Sequence, residues 1–158
     1  MSSYGTIVVK GNGHFIEGTL KTGSTPKPGT LMIMTSDAKD GSGNFTYKPW
    51  DGALDGERDE VIILRENEGL GKTVTDAYAD SEHCYLYIPM PGDEVQVLFG
   101  NAAGTADDVA IGDKLIIDDG TGKVIPTTGS PEMEPFKALE AYVDPTADQL
   151  LHCRFTGH

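Results

Sequence analysis

Short apolar runs, each closed off by turn-forming residues, set the tightest limit on what this chain can fold into. Leu31-Met32-Ile33-Met34, Val61-Ile62-Ile63-Leu64 and Leu115-Ile116-Ile117 are too short for a helix to be preferred. Glycine, proline, aspartate and asparagine collect between the runs, and the chain carries twenty glycines and nine prolines in all. Such spacing of short strands and turns predicts an all-β fold, a compact barrel-like or sandwich domain with little helix. The clearest piece is Val109 to Gly129. There the strand Lys114 to Ile117 meets a turn, Asp118 to Gly122, and a return strand Lys123-Val124-Ile125 stops at Pro126. Gly120 and Gly122 supply the positive φ that such a reversal needs.

The same reading along the chain gives about ten to twelve short strands. They include His14 to Leu20, Phe45 to Trp50, Cys84 to Ile88, Glu94 to Phe99, Phe136 to Val143 and Leu150 to Phe155. Pro26 and Pro28 bar a central strand between Lys21 and Gly29. One helical turn is expected around Thr75 to Tyr78. A chain of 158 residues, 38% of them hydrophobic, suits one domain with a real core. The expected boundaries are an N-terminal arm over residues 1–13 and a single β-rich domain over 14–158. The arm expectation rests on β-prone Thr6, Ile7, Val8 and Val9 standing ahead of Gly11-Asn12-Gly13, read as a flexible break. The alternative is an ordinary first strand in a hairpin.

The formal net charge of −13 and sequence pI of about 4.5 repel phosphate backbones, so no nucleic-acid partner is expected. No long Lys/Arg run or long apolar span is present, so no membrane partner is expected either. Met1 to Lys10 lacks the basic and apolar regions of a secretion signal, which predicts a protein made in a cytoplasm. Cys84 and Cys153 are too few for a disulfide framework and are expected as reduced thiols.

Residues that suggest chemistry fail on spacing. Gly71-Lys72-Thr73 imitates the end of a phosphate-binding loop, but Glu66 stands where that loop needs its first glycine. His83-Cys84 and His152-Cys153 are neighbours in strands, so the members of each pair point to opposite faces. Asp51, Asp55, Glu57, Asp59 and Glu60 form an acidic loop off the pattern of a calcium loop, as do Asp37, Asp40 and Asn44. Trp50, the one tryptophan, is expected in the core, leaving little platform for a sugar. No enzyme activity, catalytic residue, cofactor or metal is therefore expected. The competing expectation is a carbohydrate- or calcium-binding β-sandwich accessory module, which needs an exposed Trp50 and a metal-ordered acidic loop.

Three stretches carry a resemblance. Gly18 to Met34 (G-T-L-K-T-G-S-T-P-K-P-G-T-L-M-I-M) resembles the opening of the capsid decoration, or head cement, proteins of tailed bacteriophages, the lambda-type β-tulip family. Leu64 to Ile88 resembles the middle of that family, and Ile111 to Ile125 its later part. The resemblance implies a small β-tulip domain that forms homotrimers. It further implies binding to the major capsid protein at three-fold and quasi-three-fold sites of an expanded head, on the capsid exterior of the virion. The family's arm reaches the shell or a neighbouring subunit, and Tyr4, Thr6, Ile7, Val8 and Val9 match it by position. If so, removing residues 1–13 would leave a folded protein that binds heads poorly.

Overall fold

The computed structural model describes residues 5–51, 60–100, 107–118, 120–127, 134–143, 145 and 148–157. The described residues are all-β, with eleven strands and one 3-10 turn, Glu68–Leu70. The strands are β1 (Val8–Lys10), β2 (His14–Leu20), β3 (Leu31–Met34), β4 (Thr46–Pro49), β5 (Ile62–Leu64) and β6 (His83–Ile88). They continue as β7 (Glu94–Phe99), β8 (Lys114–Ile117), β9 (Val124–Pro126), β10 (Phe136–Ala138) and β11 (Gln149–Phe155). Strands β2 to β6 close into a barrel in the order β2-β4-β3-β5-β6. The remaining strands run β1-β7-β11-β10-β8-β9, and β9 returns to pair with β7 in parallel at Val124 and Phe99. The expected all-β, barrel-like architecture is thus present, with the second sheet closing on itself through the β7–β9 pair.

Alternation explains how the two sheets share one interior. On β3, Leu31 and Ile33 belong to the larger core cluster, whereas Met32 belongs to the smaller one inside the first barrel. On β5, Ile63 faces the larger cluster while Ile62 and Leu64 face the smaller. A strand with apolar neighbours on both faces needs an unbroken apolar run, which is why these two segments do not alternate with polar residues. The larger cluster also takes Val95, Val97 and Phe99 from β7 and Leu151 and Cys153 from β11.

The β8–β9 hairpin forms as its turn chemistry predicts, pairing Ile116 with Ile125 and Ile117 with Val124. Its turn also joins the barrels. The Gly122 carbonyl accepts from Leu31 N at 2.7 Å, and Gly122 has φ +68°. A Cβ at that position would lie 2.5 Å from the Leu31 carbonyl oxygen, so both backbone angle and closeness require glycine.

Two local expectations are corrected. The helical turn sits at Glu68–Leu70 and not at Thr75 to Tyr78, because Asn67 accepts from Leu70 N at its start and Gly71 takes the left-handed conformation at its end. Tyr78 is instead a buried side chain whose hydroxyl donates to the Arg65 carbonyl at 2.8 Å. The strand expected over Phe136 to Val143 stops at Ala138. Leu139 and Glu140 form a bend, and Tyr142 rejoins the sheet through an isolated bridge to Val109.

Candidate contact surface

The largest departure from the expected arrangement is at the start of the chain. Tyr4 lies outside the described residues. Thr6 donates its hydroxyl to Glu66 Oε1 at 2.9 Å, and Ile7 N donates to Glu66 Oε2 at 3.2 Å. The Ile7 carbonyl accepts from Gln96 N at 2.8 Å, and the Ile7 side chain is fully buried in the larger core. Val8 pairs with Val95 in β7, and Val9 lies half-buried within β1. Thr6 and Ile7 are therefore fixed to the body of their own chain, and Val8 and Val9 belong to an edge strand on β7 and not to a hairpin with β2.

The break that suggested a movable arm is also different in kind. Cβ atoms at Gly11 and Gly13 would each come 2.1 Å from a heavy atom, the Tyr87 hydroxyl and the Ile88 carbonyl respectively. Gly13 N donates to the Tyr87 hydroxyl at 2.8 Å, and that hydroxyl donates to Asp93 Oδ2 at 2.7 Å. Asp93 Oδ1 accepts from Asn12 N at 2.9 Å. Burial opposes ionisation of Asp93, but hydrogen bonds from Met90 N, the Tyr87 hydroxyl and Asn12 N outweigh it and hold the carboxyl below its ordinary value. Burial and the Asp93 acceptor push the Tyr87 hydroxyl up to about 12. These glycines admit a tyrosine; they do not mark a hinge.

Among the described residues, one surface with exposed apolar side chains is the outer face of β2 and β6. On β2, Ile16 packs against the smaller core and Leu20 is buried in it, so Phe15, Glu17 and Thr19 take the opposite face. The β2–β6 register sets Phe15 beside Tyr87, Glu17 beside Tyr85 and Thr19 beside His83. Phe15 is 60% exposed although its ring lies 4.9 Å from that of Tyr87. The Arg65 guanidinium stacks 4.5 Å from the Phe15 ring centre and is held by Glu68 at 2.8 Å. Next along β6, His83 meets Tyr85 edge-on at 5.4 Å and Glu17 at 3.2 Å. Leu70, 64% exposed, rims a shallow recess of about 220 Å³ lined by Asn67, Gly69, Glu82, His83 and Tyr85.

Exposed apolar side chains beside tyrosine and a pre-positioned arginine are the composition of a protein contact centre. Spacing arguments overlooked this face because they sought reactive groups. The signal was present, since Phe15 shares its parity with Glu17 and Thr19 and not with Ile16 and Leu20.

The other candidates are structural. Cys84 and Cys153 are free, buried thiols in different core clusters. Burial pushes Cys84 up to about 12 and Cys153 well above its ordinary value. His83 is turned outward, and His152 contacts Glu94 at 3.1 Å. Among the described residues, no three His, Cys, Asp or Glu side chains lie together as a metal group. Gly71 closes the 3-10 turn, and Glu66 is occupied by Thr6 and Ile7. Asp37 is paired with Lys21 at 2.8 Å, while Asp40 accepts from the Thr19 hydroxyl on β2 and from Ser42 N and Asn44 N in its own loop. Of the acidic loop, Asp55, Glu57 and Asp59 lie outside the described residues, and Asp51 pairs with Lys48. Trp50 is 3% exposed and lies in the larger core, so the accessory-module reading loses the aromatic platform it required.

No protein-family model matches the chain, and no curated protein matches it in sequence. Its fold is similar to that of the head fiber gp8.5 N base of bacteriophage phi29, known from a crystal structure. The two superpose with a TM-score of 0.55 at 13% sequence identity, over 91% of this chain and 96% of that one.

Proposed function

We propose that this chain is a structural protein of a phage head, a non-enzymatic fitting that attaches to the outside of the assembled capsid. The observation that carries the reading is the shared fold with a head fiber base over nearly the full length of both chains. The resemblance of Gly18 to Met34, Leu64 to Ile88 and Ile111 to Ile125 to head decoration proteins points the same way, but no family model or curated sequence matches those stretches. Within this reading the partner is the major capsid protein, the protein acts as a homotrimer, and the sites are the three-fold and quasi-three-fold positions of the expanded head. The role is to strengthen the shell against internal pressure. A protein that binds only the assembled lattice stabilises that lattice by linkage, and a trimer multiplies modest contacts through effective concentration. The contact is assigned to the Phe15, Arg65, Leu70 and Tyr85 face, because Thr6 to Val9 are engaged with their own chain.

The test is to mix the protein with expanded and unexpanded heads of its phage and to sediment the heads. Co-sedimentation with expanded heads alone supports the proposal, and equal or absent binding to both forms overturns it. Light scattering on the free protein distinguishes a particle of three 16.9 kDa chains from a monomer.

A further inference from the structure

Asn12 is exposed and is followed by Gly13, the sequence in which an asparagine side chain is most open to attack by the next backbone nitrogen. In that reaction Gly13 N bonds to Asn12 Cγ, the bond from Cγ to the side-chain nitrogen breaks, and ammonia leaves with the proton lost from Gly13 N. Water then opens the cyclic imide to aspartate or isoaspartate. The attacking nitrogen must give up its proton, and the backbone must rotate to bring it onto Cγ.

The fold opposes both needs at this site. Gly13 N–H is committed to the Tyr87 hydroxyl at 2.8 Å, and that hydroxyl in turn donates to Asp93 at 2.7 Å. Tyr87 therefore presents a lone pair to Gly13 and remains protonated, so it does not serve as a base. Asn12 N is held by Asp93 Oδ1 at 2.9 Å, and Gly11 and Gly13 are wedged against Tyr87 and the Ile88 carbonyl. On the far side His14 begins β2 in register with Ile88, and before the wedge Lys10 pairs with Glu94. Rotation at Asn12 thus requires the β1–β2 connection to leave Tyr87.

We propose that Asn12 is a gated modification site: the Tyr87–Asp93 pair suppresses its deamidation while β1 is docked, and release of β1 exposes it. The change is one-way. Isoaspartate adds a methylene to the main chain between β1 and β2 and a carboxylate beside Asp93, so the connection no longer fits its clamp. The site does not depend on the functional reading above.

The test compares deamidation at position 12 by peptide mass mapping during incubation at mildly alkaline pH. The samples are the folded protein and a synthetic peptide of residues 8–18. The folded protein is expected to react about a hundredfold more slowly, as for a segment open about one per cent of the time. Equal rates overturn the proposal. Tyr87→Phe is expected to raise the rate at Asn12 about tenfold. Ile117→Val, a core change in β8, which pairs with β9 and β10 and not with β6, is chosen to control for general loosening and is expected to leave the rate unchanged. Equal acceleration by both variants, or none from Tyr87→Phe, overturns the role of the clamp. Hydrogen exchange at Gly13 N in the wild-type chain reads the same opening without any variant, and fast exchange there also overturns the proposal.

Discussion

Tyr87 donates its hydroxyl to Asp93 at 2.7 Å, and between them the two residues take the backbone N–H groups of Asn12 and Gly13. A tyrosine on β6 and an aspartate just ahead of β7 therefore fasten the segment that leads from β1 into β2. Because the folded carboxyl of Asp93 titrates below its ordinary value, its charge favours the folded state. That contribution is complete above the unfolded carboxyl value of about 3.9 and drains away as pH falls through the lower folded value. Asp93→Asn is expected to lower stability at neutral pH by about 1–3 kcal/mol. It should also flatten the acid side of the pH–stability curve. Urea denaturation between neutral and acid pH measures both, and an unchanged acid limb refutes the assignment.

Ile7, just ahead of β1, is fully buried, and Ile7→Ala is expected to cost about 2–5 kcal/mol. Removal of residues 1–13 is expected to destabilise the protein and not merely to weaken attachment. It strips Ile7 from the core and leaves Glu66 and Gln96 without Thr6 and Ile7. Thermal denaturation of the truncated chain decides this, because an unchanged midpoint would restore residues 1–13 as a detachable arm.

Gly120 and Gly122 share a positive φ, but only Gly122 is crowded. Gly120→Ala is expected to cost about 1–2 kcal/mol, the left-handed penalty alone. Gly122→Ala carries the same penalty plus the clash with the Leu31 carbonyl, and is expected to be the worse of the two in denaturant titration. Equal losses would mean that the hairpin turn does not bear on β3.

Leu70→Ser removes exposed apolar surface and is expected to leave the denaturation midpoint nearly unchanged, whereas Phe15→Ser also gives up the Tyr87 and Arg65 contacts and is expected to cost about 1 kcal/mol. Each is expected to weaken attachment to heads about thirtyfold, the loss of a contact centre residue worth about 2 kcal/mol. Titrating labelled protein onto expanded heads reads the effect. Wild-type affinity in both variants would move the contact elsewhere.

Cys84 and Cys153 are expected to resist a thiol reagent at pH 8 in the folded protein, since burial disfavours both thiolates. Both should label at once in denaturant. Rapid labelling of either without denaturant would show that its strand opens readily.

Strand positions were readable where the cause is local. His14–Leu20, Leu31–Met34, Glu94–Phe99 and Lys114–Ile117 begin and end where apolar pattern and turn residues place them. Partners were not readable, because pairing Val8 with Val95 depends on two segments far apart in the chain. Gly11 and Gly13 show the limit most directly. A glycine needed for flexibility and one needed to admit a tyrosine ring look alike in sequence, and only the position of Tyr87 separates them. The contact face was half legible, in the outward parity of Phe15, but Arg65 and Leu70 reach it from outside the strands.

Strands β3 and β5 each serve as wall to two interiors, and that has a kinetic consequence. Neither barrel keeps its packing if the other melts, because Leu31 and Met32, or Ile62 and Ile63, cannot be released on one face alone. Melting of this chain should therefore run in a single step, with no long-lived intermediate in which one barrel stands and the other is a coil. A protease waiting for a loosened half would find the whole chain folded or the whole chain open.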